Sequence, residues 1–415
     1  MAATRIEEVE ALAGRALDWL LGSVREAEPN PTLYSGAAGI VLALLEGQRH
    51  FADDRYGDAA VRAAGSIAAA VEDRSDSSLY SGLTGMAFAL HVVDEELGDA
   101  ASGAAATRAL DLVRSRFDGT RWSGMFELLA GNAGIALGAL ASDDLDLAQL
   151  AVTPYLRTAD PTPGGVNWKV RPSEARSHHV AHGTLGIVYA LAAVGRAANR
   201  PDMVELAVSG AADVISRNEA GPEEFIVPHS DPPHRPELIE RYSLGWCNGP
   251  AGDAQTFRLL GAVQDDPAWA ALAHRCWHTV THSGLPQRLR PGFWDNNGRC
   301  CGTAGVLALA CDRLVESGDE PDFAEILVDD LVARATDDSD GVRWSNYEHR
   351  QTPSELEPET GWAMGTAGII RELLRYVRIR TGRDPGYAID MPDHLAASAP
   401  TAAVPQARSQ SVRRD

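Results

Sequence analysis

A glycine pair spaced three residues apart recurs seven times along this chain, each time opening a run rich in small and aliphatic residues. The first glycines are Gly36, Gly82, Gly131, Gly183, Gly249, Gly302 and Gly365. A self-similar period limits the fold more than any single motif does, because one unit buries its apolar face only against its neighbours. The spacing of roughly 46 to 66 residues holds two helices of ordinary length and their loops. Runs after the glycines, such as Val41–Gly47, Met86–Val93, Ile135–Ser142 and Ile187–Val194, are apolar nearly all round and suit helices buried on both sides. Between them, 60–73, 105–117, 203–217 and 267–280 mix apolar with charged residues and predict helices packed on one side.

Seven inner and seven outer helices follow. An open stack of repeats needs polar end units, since terminal units otherwise expose core. Here the first and last repeats are as apolar as the middle ones. Closure removes both ends, so the expected fold is all-α: an α/α toroid spanning residues 1–395 as one domain. The Ala/Pro/Ser/Arg-rich stretch 396–415 has no periodicity and is expected to be a disordered tail.

The residues before each glycine carry the chemistry. Directly before it stand Ser35, Ser81, Ala130, His182, Asn248, Cys301 and Met364; one further back stand Tyr34, Tyr80, Leu129, Ala181, Cys247, Cys300 and Ala363. Metal-capable side chains occupy only the fourth, fifth and sixth repeats, which are neighbours. Equivalent repeats therefore bring His182, Cys247, Cys300 and Cys301 to one mouth of the ring. Three thiolates with an open fourth position describe a catalytic Zn²⁺ site, and helix N-termini favour thiolates. Cys276 and Cys311 lie inside helical runs and read as core. His274 and His278 share one face of an outer helix without a third ligand and read as packing or surface groups.

Other whole-chain properties exclude more than they assign. A net charge of −21 argues against nucleic acid and acidic membrane surfaces. Five cysteines, an odd number, do not make a disulfide framework. No stretch has the length and apolarity of a signal peptide or a membrane span. The expectation is a cytoplasmic protein with reduced thiols and no membrane insertion.

Gly245-Trp-Cys-Asn-Gly-Pro-Ala-Gly252 and Cys300-Cys-Gly-Thr-Ala-Gly305 resemble the two zinc motifs of lanthionine synthetase C-like cyclases. Ala181-His-Gly-Thr-Leu-Gly186 resembles that family's catalytic-histidine motif. The resemblance covers nearly the whole chain. It implies an α/α barrel that adds peptide cysteines to dehydroalanine or dehydrobutyrine, forming thioether rings. Carried over by position, Cys247, Cys300 and Cys301 become the zinc ligands and His182 the acid/base. Glu127 stands four residues before the third glycine, where many members have Asp. The chain departs from the family pattern at Cys301, usually His, and at Asn248, usually aromatic or His. The family arginine upstream of the first zinc cysteine has no counterpart at the same offset; Arg241 is the nearest candidate.

The chemistry also follows from the residues. A free thiol is only a few per cent thiolate at neutral pH, and coordination to Zn²⁺ deprotonates it. Its attack on an electron-poor alkene leaves an enolate that needs a proton, which histidine is suited to deliver. Glu127 can orient that histidine, or serve only as a solvated or capping carboxylate. Partners are then a dehydrated precursor peptide and a separate dehydratase, because the repeats leave no room for one. Pro/aromatic-rich stretches at 161–168, 222–242 and 344–360 read as loops, some framing a substrate cleft. Two other classes compete. One is a different zinc-dependent thiol-alkylating α/α-barrel enzyme, such as a prenyltransferase subunit, whose ligands would include a carboxylate. The other is a non-catalytic zinc or partner-binding module on the same scaffold. A glycosidase toroid would need two carboxylates at the mouth, and only Glu127 stands near one.

Overall fold

A computed structural model of the chain describes residues 2–26, 30–288, 296–348 and 350–397. Helices alternate outer and inner along the chain: α1 (Ala2–Glu26) and α2 (Ala37–Phe51), α3 (Asp54–Ala69) and α4 (Leu83–Leu97), α5 (Ala100–Ser115) and α6 (Asn132–Leu140). Then come α7 (Leu145–Val152), the single turn α8 (Tyr155–Thr158) and inner α9 (Thr184–Ala197). The last pairs are α10 (Pro201–Ile215) and α11 (Pro250–Gln264), α12 (Pro267–Thr281) and α13 (Thr303–Ser317), α14 (Asp322–Ala333) and α15 (Thr366–Arg380). Each inner helix touches the next, and α15 packs against both α1 and α2. The ring closes, as the apolar end repeats require.

All seven first glycines stand at the N-cap of an inner helix, and none supplies a side-chain cap. Loop carbonyls take over: Ala37 N–H bonds Asn30, Leu83 bonds Asp76, Leu185 bonds His178, Thr303 bonds Asn296 and Thr366 bonds Glu359. The second glycines serve close approach. A Cβ on Gly252 would strike the Trp246 carbonyl, and one on Gly39 would lie 2.7 Å from Trp362 N, across the seam between first and last repeats.

A second set of backbone bonds runs round the mouth. The N–H of Tyr34 donates to Tyr80, Leu129 to Ala181, Ala181 to Cys247, Cys247 to Cys300, Cys300 to Ala363 and Ala363 to Tyr34. These residues share one repeat position, so the backbone there is a hoop whose described bonds lace neighbouring loops everywhere except between the second and third repeats.

Among the described residues six short strands, in three two-stranded antiparallel pairs, were not expected from the helical periodicity: β1 (Asp160–Thr162) with β2 (Gly165–Asn167), β3 (Arg176–Ser177) with β4 (Ser230–Asp231), and β5 (Thr336–Asp338) with β6 (Gly341–Arg343). The 161–168 stretch, expected to frame a cleft, instead packs on α10. Gly164 and Gly165 press on Ser209, Asp213 and Ser216, and the Trp168 indole is buried, bonded to the Tyr155 carbonyl.

The lumen away from the mouth is filled by charge pairs and by the chain's own end. Asp312 of α13 accepts from Arg375, Arg258 and Gln255. Segment 384–395 lies among these side chains. Pro385 accepts from Arg375, Ile389 from Arg371, the Ala388 N–H donates to Glu46, and Tyr387 hydroxyl donates to Glu372. Further along, Asp393 accepts from the buried Tyr80 hydroxyl, and His394 lies between Asp312 and Arg299. Of the expected tail 396–415, all but residues 396 and 397 lies outside the described residues.

Candidate metal centre

The loops before α11 and α13 bring three thiols together. Cys247 Sγ lies 3.1 Å from Cys301 Sγ, and Cys301 Sγ lies 3.4 Å from Cys300 Sγ. A disulfide bond is about 2.05 Å long, so these are free thiols, as are Cys276 and Cys311 in the core. All three cluster sulfurs lie within 4.8 Å of one another and are buried. Among the described residues this is the one group of His, Cys, Asp or Glu side chains close enough to hold a metal ion. Soft sulfur donors on rigid loops, with no carboxylate among them, fit Zn²⁺.

Burial dominates one of these thiols, and the contacts among the three sulfurs dominate the other two. Burial raises Cys247 well above the ordinary thiol range, whereas Cys301 is raised first by its bonds to Cys247 and Cys300 and only then by burial. Cys300 moves the other way. Hydrogen bonds from Cys247 and Cys301 hold its thiolate well below that range, with the His182 charge and the Tyr34 hydroxyl adding to the effect. Tyr34 belongs to the first repeat and reaches Cys300 from another part of the mouth. Its repeat position, the same as those of Cys247 and Cys300, was the signal available in the sequence.

His182 stands at the same mouth, partly exposed, with Nδ1 3.5 Å from Glu127 Oε2. That exceeds a tight hydrogen bond, as catalytic contacts commonly do before substrate binds. With Nδ1 turned to the carboxylate, Nε2 is the nitrogen left for proton transfer. Glu127 is fully buried and does two jobs. Its oxygens accept the N–H groups of Leu129 at 2.7 Å and Ala130 at 2.9 Å, which fixes its own loop, while Oε2 also faces His182.

Arg241 does not join this constellation. It is exposed, paired with Glu219 and stacked beside Tyr242. The arginine that does lie at the histidine is Arg171, whose Nη2 is 3.5 Å from the His182 carbonyl oxygen. It has no counterpart in the glycine repeats, so no periodic argument points to it. Segment 224–245 does frame a groove, of about 540 Å³, with the turn around Leu285 and Pro286. The groove reaches Gly245 and Gly302 on the cysteine loops, but neither the thiols nor His182 line it.

An α/α toroid with three buried thiols at one mouth defines the class of this protein. The model of the lanthionine synthetase C-like protein family matches residues 28–381, and the chain belongs to that family. No curated protein sequence matches it. Among solved structures, nisin cyclase superposes with a TM-score of 0.66 at 15% identity, covering 89% of this chain and 94% of that one. An unsaturated glucuronyl hydrolase specific for heparin superposes with a TM-score of 0.50 at 10% identity, over 91% of this chain and 98% of the other. At such identities the likeness is one of fold, and it bears out the toroid. Among the described residues no helix is long and apolar enough to cross a membrane.

Proposed function

We propose that this chain is a zinc-dependent lanthionine cyclase, adding peptide cysteine thiolates to dehydroalanine or dehydrobutyrine in a ribosomally made peptide. The observation that carries the reading is the convergence of Cys247, Cys300 and Cys301 at the mouth that also holds the His182–Glu127 pair. Nisin cyclase, a cyclase by name, shares the fold. Residues 1–395 act as one cyclase domain, in the cytoplasm, on a peptide dehydrated by a separate enzyme.

Cys247, Cys300 and Cys301 are the ligands that hold Zn²⁺. When bound, the ion supplies a Lewis acid that keeps a substrate thiol deprotonated at neutral pH. The thiolate's electron pair forms the C–S bond to the alkene β-carbon, and the alkene pair moves onto the carbonyl oxygen. His182 gives its proton to the α-carbon as the enolate pair returns, and the proton released by the thiol restores His182. Glu127 holds the imidazole in one orientation. No atom is gained or lost overall.

Addition changes no mass, so thiol blocking is the readout. The purified protein should remove alkylatable thiols from a dehydrated cysteine peptide while leaving its mass unchanged. It should leave serine and threonine of the undehydrated peptide intact. A zinc-loaded chain that leaves every thiol open to alkylation sinks the reading, and dehydration by this chain alone sinks the separate-dehydratase part.

A further inference from the structure

We infer that Arg171 is a further catalytic residue, donating to the substrate carbonyl oxygen as it becomes an enolate beside His182. The inference rests on the cyclase reading above. As the C–S bond forms, the substrate thiolate's charge moves onto the carbonyl oxygen, so that three ligating thiolates, the Glu127 carboxylate and the enolate carry five negative charges against the two of the ion and the one of a protonated His182. Negative charge gathered on a carbonyl oxygen is costly in such surroundings unless a fixed cation meets it. Aligned donors aimed at developing charge are the usual remedy, and a guanidinium offers several in one plane.

Arg171 has the right place and is not otherwise committed. Its segment is stitched to that of Glu127 by the bond from Phe126 N–H to the Val170 carbonyl, 2.8 Å long. Among the described residues its one side-chain bond is the long contact to the His182 carbonyl, and its buried Nε has no partner. Most arginines near the lumen are spent on acids, as Arg258, Arg299, Arg375 and Arg378 are. Arg171 has no such ion pair among the described residues. Arg235 and His234, just beyond β4, lie close enough to act on it electrostatically, so three groups able to carry positive charge share this region. Glu127 attracts the guanidinium while Arg235 repels it. An arginine partly buried, lightly bonded and crowded by its own sign suits an anion that exists only during reaction.

The test compares acceptors of different enolate stability. Wild type, Arg171→Gln and Arg171→Lys, each zinc-loaded, receive a cysteine peptide with a dehydroalanine amide acceptor and its counterpart with an α,β-unsaturated ketone. Metal content and melting temperature are measured beside kcat and KM. Arg171→Gln should keep zinc and fold, and lose about 10²–10³-fold in kcat on the amide. On the ketone, whose enolate needs less help, the loss should fall below about tenfold. Arg171→Lys should recover part of the amide rate. An equal loss on both acceptors, a loss confined to KM, or a loss of zinc overturns the assignment. So does an unchanged amide rate in a wild type that cyclises. A wild type that cyclises neither peptide overturns the cyclase reading, and this inference with it.

Discussion

The two ends of the toroid use the same inner helices differently. Away from the mouth, charge is buried in matched pairs: Asp312 serves Arg258, Arg375 and His394, and Glu46 serves Arg378. At the mouth, groups are left under-partnered. Thiols crowd one another, His182 stands 3.5 Å from its carboxylate, and Arg171 keeps a bare Nε. A polar group satisfied inside the protein contributes to the fold; one held unsatisfied is available to something else. The missing ion pair sets Arg171 apart more than its bare nitrogen does, since Arg299 Nη1 and Arg371 Nε also lack partners on side chains that are paired with acids.

Substitutions at the two ends should break this contrast if it is wrong. The largest effect is expected at the thiols. Replacing Cys247, Cys300 or Cys301 by alanine should abolish one zinc per chain and cyclisation together, read by metal analysis. Sulfur-edge spectroscopy of the native chain should count three protein sulfurs; a ligand set lacking any of the three contradicts the assignment. Next comes His182→Asn, expected to keep zinc and melting temperature and lose about 10² to 10⁴-fold in rate. Zinc loss, or near-normal cyclisation in the folded variant, removes His182 from the mechanism.

At the other end the signature inverts. Asp312→Asn leaves Arg258 and Arg375 without their shared carboxylate and should cost about 3–5 kcal/mol of stability, measured by denaturant unfolding. The cyclisation rate per folded molecule should stay within about twofold, as uniform behaviour of independent sites requires. A comparable loss of rate would mean that the two ends are coupled.

Acid should find the buried histidines. Burial lowers His178 and His229 to about 3 and His394 to about 4, from an ordinary 6.5. The unfolded chain takes up these protons near the ordinary value and the folded one does not. Stability is therefore full above 6.5 and falls as pH drops towards 4 and then 3. Melting temperatures across that window check it; a flat profile refutes the burial argument. The smallest effect is expected for Cys301→His. Three thiolates on Zn²⁺ sum to −1, and two thiolates with a neutral imidazole sum to 0. The variant should keep zinc but cyclise more slowly, since a less negative site makes the substrate sulfur less nucleophilic. An equal or faster rate at equal zinc occupancy counts against the charge argument.

What the sequence made legible was whatever repeats. Seven glycines marked seven inner-helix starts, and matched positions placed Cys247, Cys300, Cys301 and His182 at one mouth. Contacts that cross the lumen or join distant segments left no such trace. Arg299 meets Glu372 across 73 positions, and segment 384–395 threads among helices with which it shares no period. Arg171 enters from a loop between repeats, and the 161–168 hairpin folds outward on glycines that resemble those of any exposed turn. Periodicity reports a residue's place around the ring; it is silent about what reaches inward from outside the register.

The laced backbone at the mouth makes this site a matter of circumference. Cys247 and Cys300 are consecutive links of that hoop, and Ala363 to Tyr34 is the link that joins its last unit to its first. The gap between the sulfurs is thus held by the lacing on either side as well as by the two loops that bear them. A toroid with one unit more or fewer would have a different girth and tilt its loops differently, so the number of repeats acts as a gauge for the ion the mouth can grip.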